Sequence, residues 1–390
     1  MSASVEIQII AILISMACAI TGTFLVLRKM SMMTDSITHT ILFGIVAAYF
    51  ITHDLNSPFL IVGAALVGVL TVWLTESIVK TRLVSEDSAI GLVFPLLFSF
   101  AIIMVTKFAD SVHLDVDTVL LGELAFAPFD RLILFGNDVG AIGMWIGIIL
   151  VAINLLFVVI FFRVLKLSTF DTVLATTLGF SPIIVHYLLM TVVSITTVGA
   201  FQSVGSILVI AFMIVPPATA YLLSDDVKMI ILISALIGAV SSVFGYQLAK
   251  LLDASIAGAI AVVAGIIFAI VLVVAPKRGV LSVVLKRKRQ RSEFIELSLL
   301  FHIANHYQTD REDIENNIVS LIDHVHWEEE ALNKILKKLA SEGKIEIKNN
   351  IICLTNYGIE QVKEAYKKYF QNIDPDMKSL PISLKNTAFK

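Results

Sequence analysis

The residues with the plainest chemistry are Asp35 and His39, in the stretch Met30-Ser-Met-Met-Thr-Asp-Ser-Ile-Thr-His-Thr-Ile-Leu-Phe-Gly44. A carboxylate and an imidazole four residues apart lie on one face of a helix, one turn from each other. Two such side chains can point at one ion, and an oxygen–nitrogen donor set suits a divalent transition metal. Ligand type does not choose between Mn²⁺ and Zn²⁺, while the general affinity order favours zinc. The pair opens a long apolar run, and ionisable groups are costly in hydrocarbon, so its place there marks a functional site.

Two further groups carry metal-ligating residue types. Between residues 109 and 138, His113, Asp115 and Asp117 alternate and would share one face of an extended chain, with Glu123 close behind. This stretch reads as a metal funnel, as a docking surface for a metal-delivery protein, or as a solvated acidic loop. Near the C-terminus stand four of the eight histidines: His302, His306, His324 and His326. His302 and His306 share a helix face, and such pairs can chelate a transition metal. A cytosolic metal sensor and an exposed regulatory or dimerising module are both consistent with them.

The elements that must position these groups are apolar. The chain has 390 residues, 57% hydrophobic and 16% charged, and most of the charge follows residue 286. Nine apolar segments fall near 5–27, 35–52, 57–79, 88–108, 139–162, 181–200, 203–223, 227–249 and 254–275. Each is long enough to span a bilayer as a helix. The first lacks a basic leader and a cleavage signal, so it reads as a retained span. Lys and Arg concentrate in alternate short loops, as at Arg28-Lys29, Lys80 with Arg82, Arg163 with Lys166, Lys228, and Lys277-Arg278. The positive-inside rule then puts the N-terminus outside and the C-terminus in the cytosol. Net charge is −3, so no global basic field argues for nucleic acid. The two cysteines, Cys18 and Cys353, form no disulfide framework and no CxxC site.

Two connecting regions stand out. In the stretch from Lys166 to Pro182, Asp171 falls where a short helix would begin and Gly179 where it would end, with Pro182 opening the next span. A short amphipathic helix facing the cytosol suits a lever for a soluble partner or an interfacial connector. Farther on, Pro216-Pro217 remove two backbone donors deep in a span. That is tolerated where the backbone is buried in protein or lines a cavity, so the prolines mark a kink at a packing contact or on a pathway. Among the polar residues in the spans, Glu76 is expected to pair with Lys80 four residues on, and His186 to be a satisfied packing residue.

The expected organisation is a transmembrane domain over 1–280, a basic juxtamembrane linker over 281–291 that meets anionic lipid, a small soluble domain over 292–373, and a disordered tail over 374–390. The soluble part reads as three helices, a two-stranded hairpin turning at Asn349-Asn350, and a last helix, which is a winged-helix α+β pattern. Its third helix opens with Glu328-Glu329-Glu330, which would repel phosphates, so nucleic acid is not an expected partner.

Several motifs occur in an order that resembles a known family. Thr34-Asp-Ser-Ile-Thr-His39 with Gly44, Glu86-Asp87-Ser-Ala-Ile-Gly91-Leu-Val-Phe94, and Val204-Gly205 through Pro217-Ala-Thr-Ala-Tyr221 resemble segments of the manganese/zinc/iron ABC-transporter permeases, the ABC-3 family. Phe170-Asp171 and Leu178-Gly179 sit where those permeases place the helix that couples to the ATPase. Pro216 stands where a small apolar residue is commoner, and the C-terminal extension is similar to the N-terminal domain of the iron/manganese-dependent repressors. The resemblance implies an all-α polytopic permease of about nine spans in a bacterial cell (inner) membrane. It implies a second permease subunit, identical or different, two cytosolic ATPase subunits and an extracellular solute-binding protein. The chain itself, without a GxxxxGK[ST] sequence, is then no enzyme. No permanent cofactor is expected. The cargo is a divalent metal, manganese favoured over zinc or iron, which meets Asp35 and His39 in an alternating-access cycle. A secondary metal transporter without an ATPase, and a membrane-anchored metal-responsive transcription regulator, are the other classes the sequence admits.

Overall fold

The computed structural model describes residues 2–54, 57, 59–108, 124–134, 137–309, 311–325 and 329–370. The chain divides into two compact units, Met1–Ser282 and Val283–Lys390. In the first, the order is α1 (Ala3–Leu27), α2 (Met32–Thr52), α3 (Phe59–Val79), α4 (Glu86–Phe108), a hairpin of β1 (Arg131–Leu134) and β2 (Asn137–Ala141), α5 (Ile142–Phe170), α6 (Thr172–Thr177), α7 (Pro182–Leu223), α8 (Val227–Leu252) and α9 (Ile256–Val274). Eight helices among the described residues are long and apolar enough to cross a membrane. They are apolar all round, as helices are when every face meets lipid or another helix.

The count of eight against nine expected segments is explained by α7. Its 42 residues, if straight, would run about 63 Å, twice a bilayer's hydrocarbon core of about 30 Å. Gly205 interrupts it with φ 78° and ψ 167°, a conformation that only glycine adopts readily. The Thr197 hydroxyl then lies 3.7 Å from the Met213 sulfur, a pair that a straight helix would hold about 24 Å apart. α7 is therefore two antiparallel arms, and the segments near 181–200 and 203–223 are both present. The break is at Gly205 and not at Pro216-Pro217, which sit buried within the returning arm with helical backbone.

α1 is the most enclosed span and packs on α5, α7 and α8. Polar contacts fix the neighbours, as expected where lipid offers no hydrophobic drive between helices. Asn154 on α5 donates to the Ala17 carbonyl at 2.9 Å and accepts from Thr196 on α7 at 2.9 Å. Between α2 and α3, the Thr71 hydroxyl donates to Thr40 at 2.8 Å. Here the backbones nearly touch: a Cβ added to Gly44 would lie 2.5 Å from the Ala64 Cα.

The two ends of the bundle carry different ion pairs. Arg131 on β1 grips the buried Glu6 of α1 at 2.8 and 3.0 Å and Asp138 of β2 at 2.6 Å, which pins the hairpin to the start of α1. These bonds push the Arg131 guanidinium up and hold the Asp138 carboxyl below the usual range. After the last span, Arg278 and Lys277 meet Asp225, in the connection between α7 and α8, at 2.7 and 2.8 Å. The Lys277 bond is the main reason that Asp225 titrates low.

The second unit holds most of α10 (Val280–His306), then α11 (Glu312–Glu315), α12 (Ile318–Val325), α13 (Glu329–Ser341), β3 (Ile345–Lys348), β4 (Ile351–Leu354) and α14 (Asn356–Phe370). The basic residues 286–291 are helical and belong to α10. Leu299, Ile303, Leu336, Leu339, Ile352 and Val362 are central to the core. β3 and β4 pair antiparallel across Asn349 and Asn350, both at positive φ, the backbone that the tight two-residue hairpin turn requires. Glu296 on α10 is buried against Lys338 on α13 and accepts from Ser292 at 2.9 Å. Burial raises the Glu296 carboxyl, but the Lys338 and Ser292 bonds outweigh it and hold it below the usual range.

Candidate functional site

Asp35 falls in the first turn of α2 and His39 one turn later, because the run from Met32 is helical throughout. His39 Nε2 lies 3.4 Å from Asp35 Oδ1, so the expected pair is formed. Their side chains are 33% and 30% exposed, while Met33, Thr34, Ser36, Ile37, Thr38 and Thr40 around them are buried. α2 thus turns one half-open stripe outward, and both donors are on it. On α4, Phe94 stacks on the His39 ring at 5.3 Å between centroids, and Phe98 meets it edge-on at 6.3 Å. The two rings limit the imidazole's rotation and wall one side of the site with apolar surface. Among the described residues no three His, Cys, Asp or Glu side chains converge. Among the described residues, then, Asp35 and His39 are two donors with no third His, Cys, Asp or Glu beside them.

The short helix expected after residue 170 is α6. The Asp171 carboxylate caps it by accepting from the Leu174 N–H at 2.8 Å. Gly179 ends it at φ 85°, and the Phe180 N–H returns to the Ala175 carbonyl at 3.0 Å, closing a left-handed cap. Phe170, Val173, Leu174, Leu178 and Phe180 are all exposed. Val173 and Leu174 on α6, with Phe170, Leu178 and Phe180 flanking it, make one exposed apolar stretch that marks a contact surface.

A polar network not foreseen as a unit surrounds α6. Arg28, just past α1, donates to Ser168 Oγ at 2.9 Å and Thr169 Oγ1 at 3.1 Å at the end of α5, and contacts His186 Nδ1 on α7 at 3.3 Å. A guanidinium has donors only, so His186 Nδ1 is the acceptor in this contact, and Nε2 on the other side of the ring abuts Glu76 Oε1 of α3. The Tyr187 hydroxyl donates to Glu76 Oε2 at 2.7 Å. Lys80, the expected partner of Glu76, stays mostly exposed at 3.9 Å and is its weakest contact. Glu76 and His186 are 20% and 13% exposed. The network borders a cavity of about 650 Å³, which Met33, two residues from Asp35, also lines.

Of the other candidates, His302 and His306 are adjacent, with ring centroids 5.2 Å apart, and His302 Nε2 is 3.4 Å from the Glu315 carbonyl. His113, Asp115, Asp117, Glu123 and His326, and the side chain of His324, lie outside the described residues.

Comparison with known proteins finds relatives along most of the chain. The model of the ABC 3 transport family matches residues 4–275. The zinc transport system membrane protein TroD of Treponema pallidum is 41% identical over 356 residues, covering 91% of this chain and 97% of TroD. The manganese transport system membrane protein MntD of Bacillus subtilis is 38% identical over 292 residues, covering 74% of this chain and 99% of MntD. Among solved structures, PsaBC from Streptococcus pneumoniae in complex with Fab superposes with a TM-score of 0.58 at 30% identity, over 70% of this chain and 92% of that one. The match to TroD is too long to end at residue 275, so part of it lies in the second unit. The match to MntD leaves about a quarter of this chain without a counterpart.

Proposed function

We infer the function from one premise: the chain belongs to the ABC 3 transport family, whose model covers residues 4–275. It is a permease subunit of a manganese or zinc importer and not itself an enzyme. ATP hydrolysis belongs to two separate cytosolic ATPase subunits, and an extracellular solute-binding protein delivers the metal. The family match carries this reading, because it spans every membrane helix.

Within the reading, Asp35 and His39 are the ion's waypoint. Two permease subunits facing each other supply two carboxylates and two imidazoles, a four-donor set suited to Mn²⁺ or Zn²⁺, with Fe²⁺ as a third candidate. Their half-open position and the absence of a third converging ligand among the described residues support a site completed by a second subunit. The exposed apolar face of α6 takes the push of the ATPase. The loops with Arg28, Lys80 and Lys228 face the cytosol, which puts the Glu6–Arg131 end outside.

The test is metal uptake into vesicles holding the complete complex. ATP-dependent uptake of one metal over the others is the expected result. Uptake that proceeds with an ATPase subunit unable to hydrolyse ATP would make the chain a secondary transporter and overturn the reading.

The second unit is a regulatory module of winged-helix type, with His302 and His306 as candidate metal contacts. MntD is matched over nearly all its length by about three quarters of this chain, which supports a permease core that works without that unit. Deleting 292–390 is expected to preserve uptake and to abolish inhibition by high internal metal, read as uptake rate against preloaded metal. Loss of ATPase binding on deletion would instead make the unit part of the assembly.

A further inference from the structure

We propose that Arg28, Glu76 and His186 are positioning residues that carry motion from α6 to the metal-binding helix; the proposal rests on the permease reading above. The network ties together what α6 would otherwise move alone. Ser168 and Thr169 stand just before α6, and His186 and Tyr187 stand in the first turns after it. Arg28 binds both sides of α6 at once. Glu76 accepts from Tyr187 and abuts His186, and so joins the same assembly to α3.

α3 passes the motion on. Its backbone touches that of α2 at Gly44, and Thr71 bonds Thr40, the residue directly after His39. A shift of α3 cannot be absorbed at a contact with no side chain between the backbones, so α2 follows, and with it Asp35 and His39. The network behaves as one piece because each of its charged groups is largely shielded from water. Breaking one contact leaves a partly buried charge without its partner, so the contacts hold or fail together.

The cavity beside the network is not a second cation site. Arg28, Lys29 and Lys80 line it against two carboxylates, Glu76 and Glu86, so its formal charge repels a divalent ion. Its role is room for the network to change arrangement.

The experiment uses the full complex in vesicles, with uptake, ATP hydrolysis and binding of Mn²⁺ measured on the same preparations. For Glu76→Ala, uptake is expected to fall at least tenfold, and stimulation of hydrolysis by the metal-loaded binding protein to disappear. Basal hydrolysis and Mn²⁺ binding should stay within twofold of wild type. Glu76→Gln keeps an acceptor for Tyr187 and should recover part of the coupling. Tyr187→Phe removes a single hydroxyl, so it serves if the alanine variant does not assemble, with a loss of coupling smaller than that of Glu76→Ala. Wild-type coupling in Glu76→Ala or, should that variant not assemble, in Tyr187→Phe would overturn the proposal, as would parallel loss of Mn²⁺ binding or of basal hydrolysis. The wild-type control separates the two levels: uptake that does not need ATP sinks the permease reading, whereas ATP-driven uptake left unchanged by Glu76→Ala sinks the relay alone.

Discussion

Alanine at Asp35 or at His39 is expected to abolish metal uptake while the permease still assembles with its partners. The loss should reach about two orders of magnitude or more, since even outer groups that only orient a metal's ligands change affinity by about 10–100-fold. The geometry explains why neither residue can stand in for the other. Asp35 supplies the anionic oxygen and His39 the nitrogen, one helical turn apart at 3.4 Å. No third His, Cys, Asp or Glu converges on them among the described residues. Asp35→Ala removes a small, one-third exposed side chain, whereas His39→Ala also removes the ring packed on Phe94 and Phe98, so assembly of the complex is measured beside uptake. Asp35→Asn separates charge from shape: it keeps an oxygen donor but loses the negative charge that offsets a divalent ion, and uptake should fall nearly as far. Phe94→Leu keeps both ligands and removes the ring stacked on His39 at 5.3 Å. Uptake should then fall less, through weaker orientation of the imidazole. Radiolabelled metal uptake with size-exclusion profiles of the complex checks all four variants. Normal uptake in both alanine variants would remove the ligand role.

What could be read from the chain and what could not follows from the range of the interactions. Asp35 and His39 were legible because their relation is local: helix periodicity alone sets a four-residue spacing on one face. The same holds for α6, whose start and stop are written in Asp171 and Gly179. The spans were legible as runs of apolar residues, and the turn near Gly205 as the gap between two of them. The double proline pointed elsewhere, because a missing N–H is a stronger signal in a sequence than one glycine with positive φ. The network around α6 could not be read, since its members are up to 158 residues apart. Local spacing gives Lys80 for Glu76, and that pair is present at 3.9 Å, but the fold adds the closer Tyr187 hydroxyl at 2.7 Å, which spacing does not reveal.

Gly44→Ala is expected to impair transport although it adds one methyl group and touches no ligand. The new Cβ would lie 2.5 Å from the Ala64 Cα, 2.7 Å from the Gly63 carbonyl oxygen and 2.8 Å from the Ala64 nitrogen. All three are backbone atoms, so no rotamer change relieves the contact and the two helices must separate. Overpacking of this kind costs about 1–3 kcal/mol, enough to lower the melting temperature of the complex. Separation also stretches the Thr71–Thr40 hydrogen bond, now 2.8 Å, and shifts α2 against the Phe94 and Phe98 rings that hold His39. Uptake should drop about tenfold, since an ångström of misplacement at a reacting site costs up to about a hundredfold. Gly265→Ala is the control, because a Cβ there meets nothing within 4 Å. Alanine within a helix is favoured over glycine by about 0.5–1 kcal/mol, so that variant should be slightly more stable and transport normally. The opposite signs of the two substitutions in a thermal melt would place the effect in the α2–α3 contact. Equal behaviour of the two would mean that α2 holds Asp35 and His39 without help from α3.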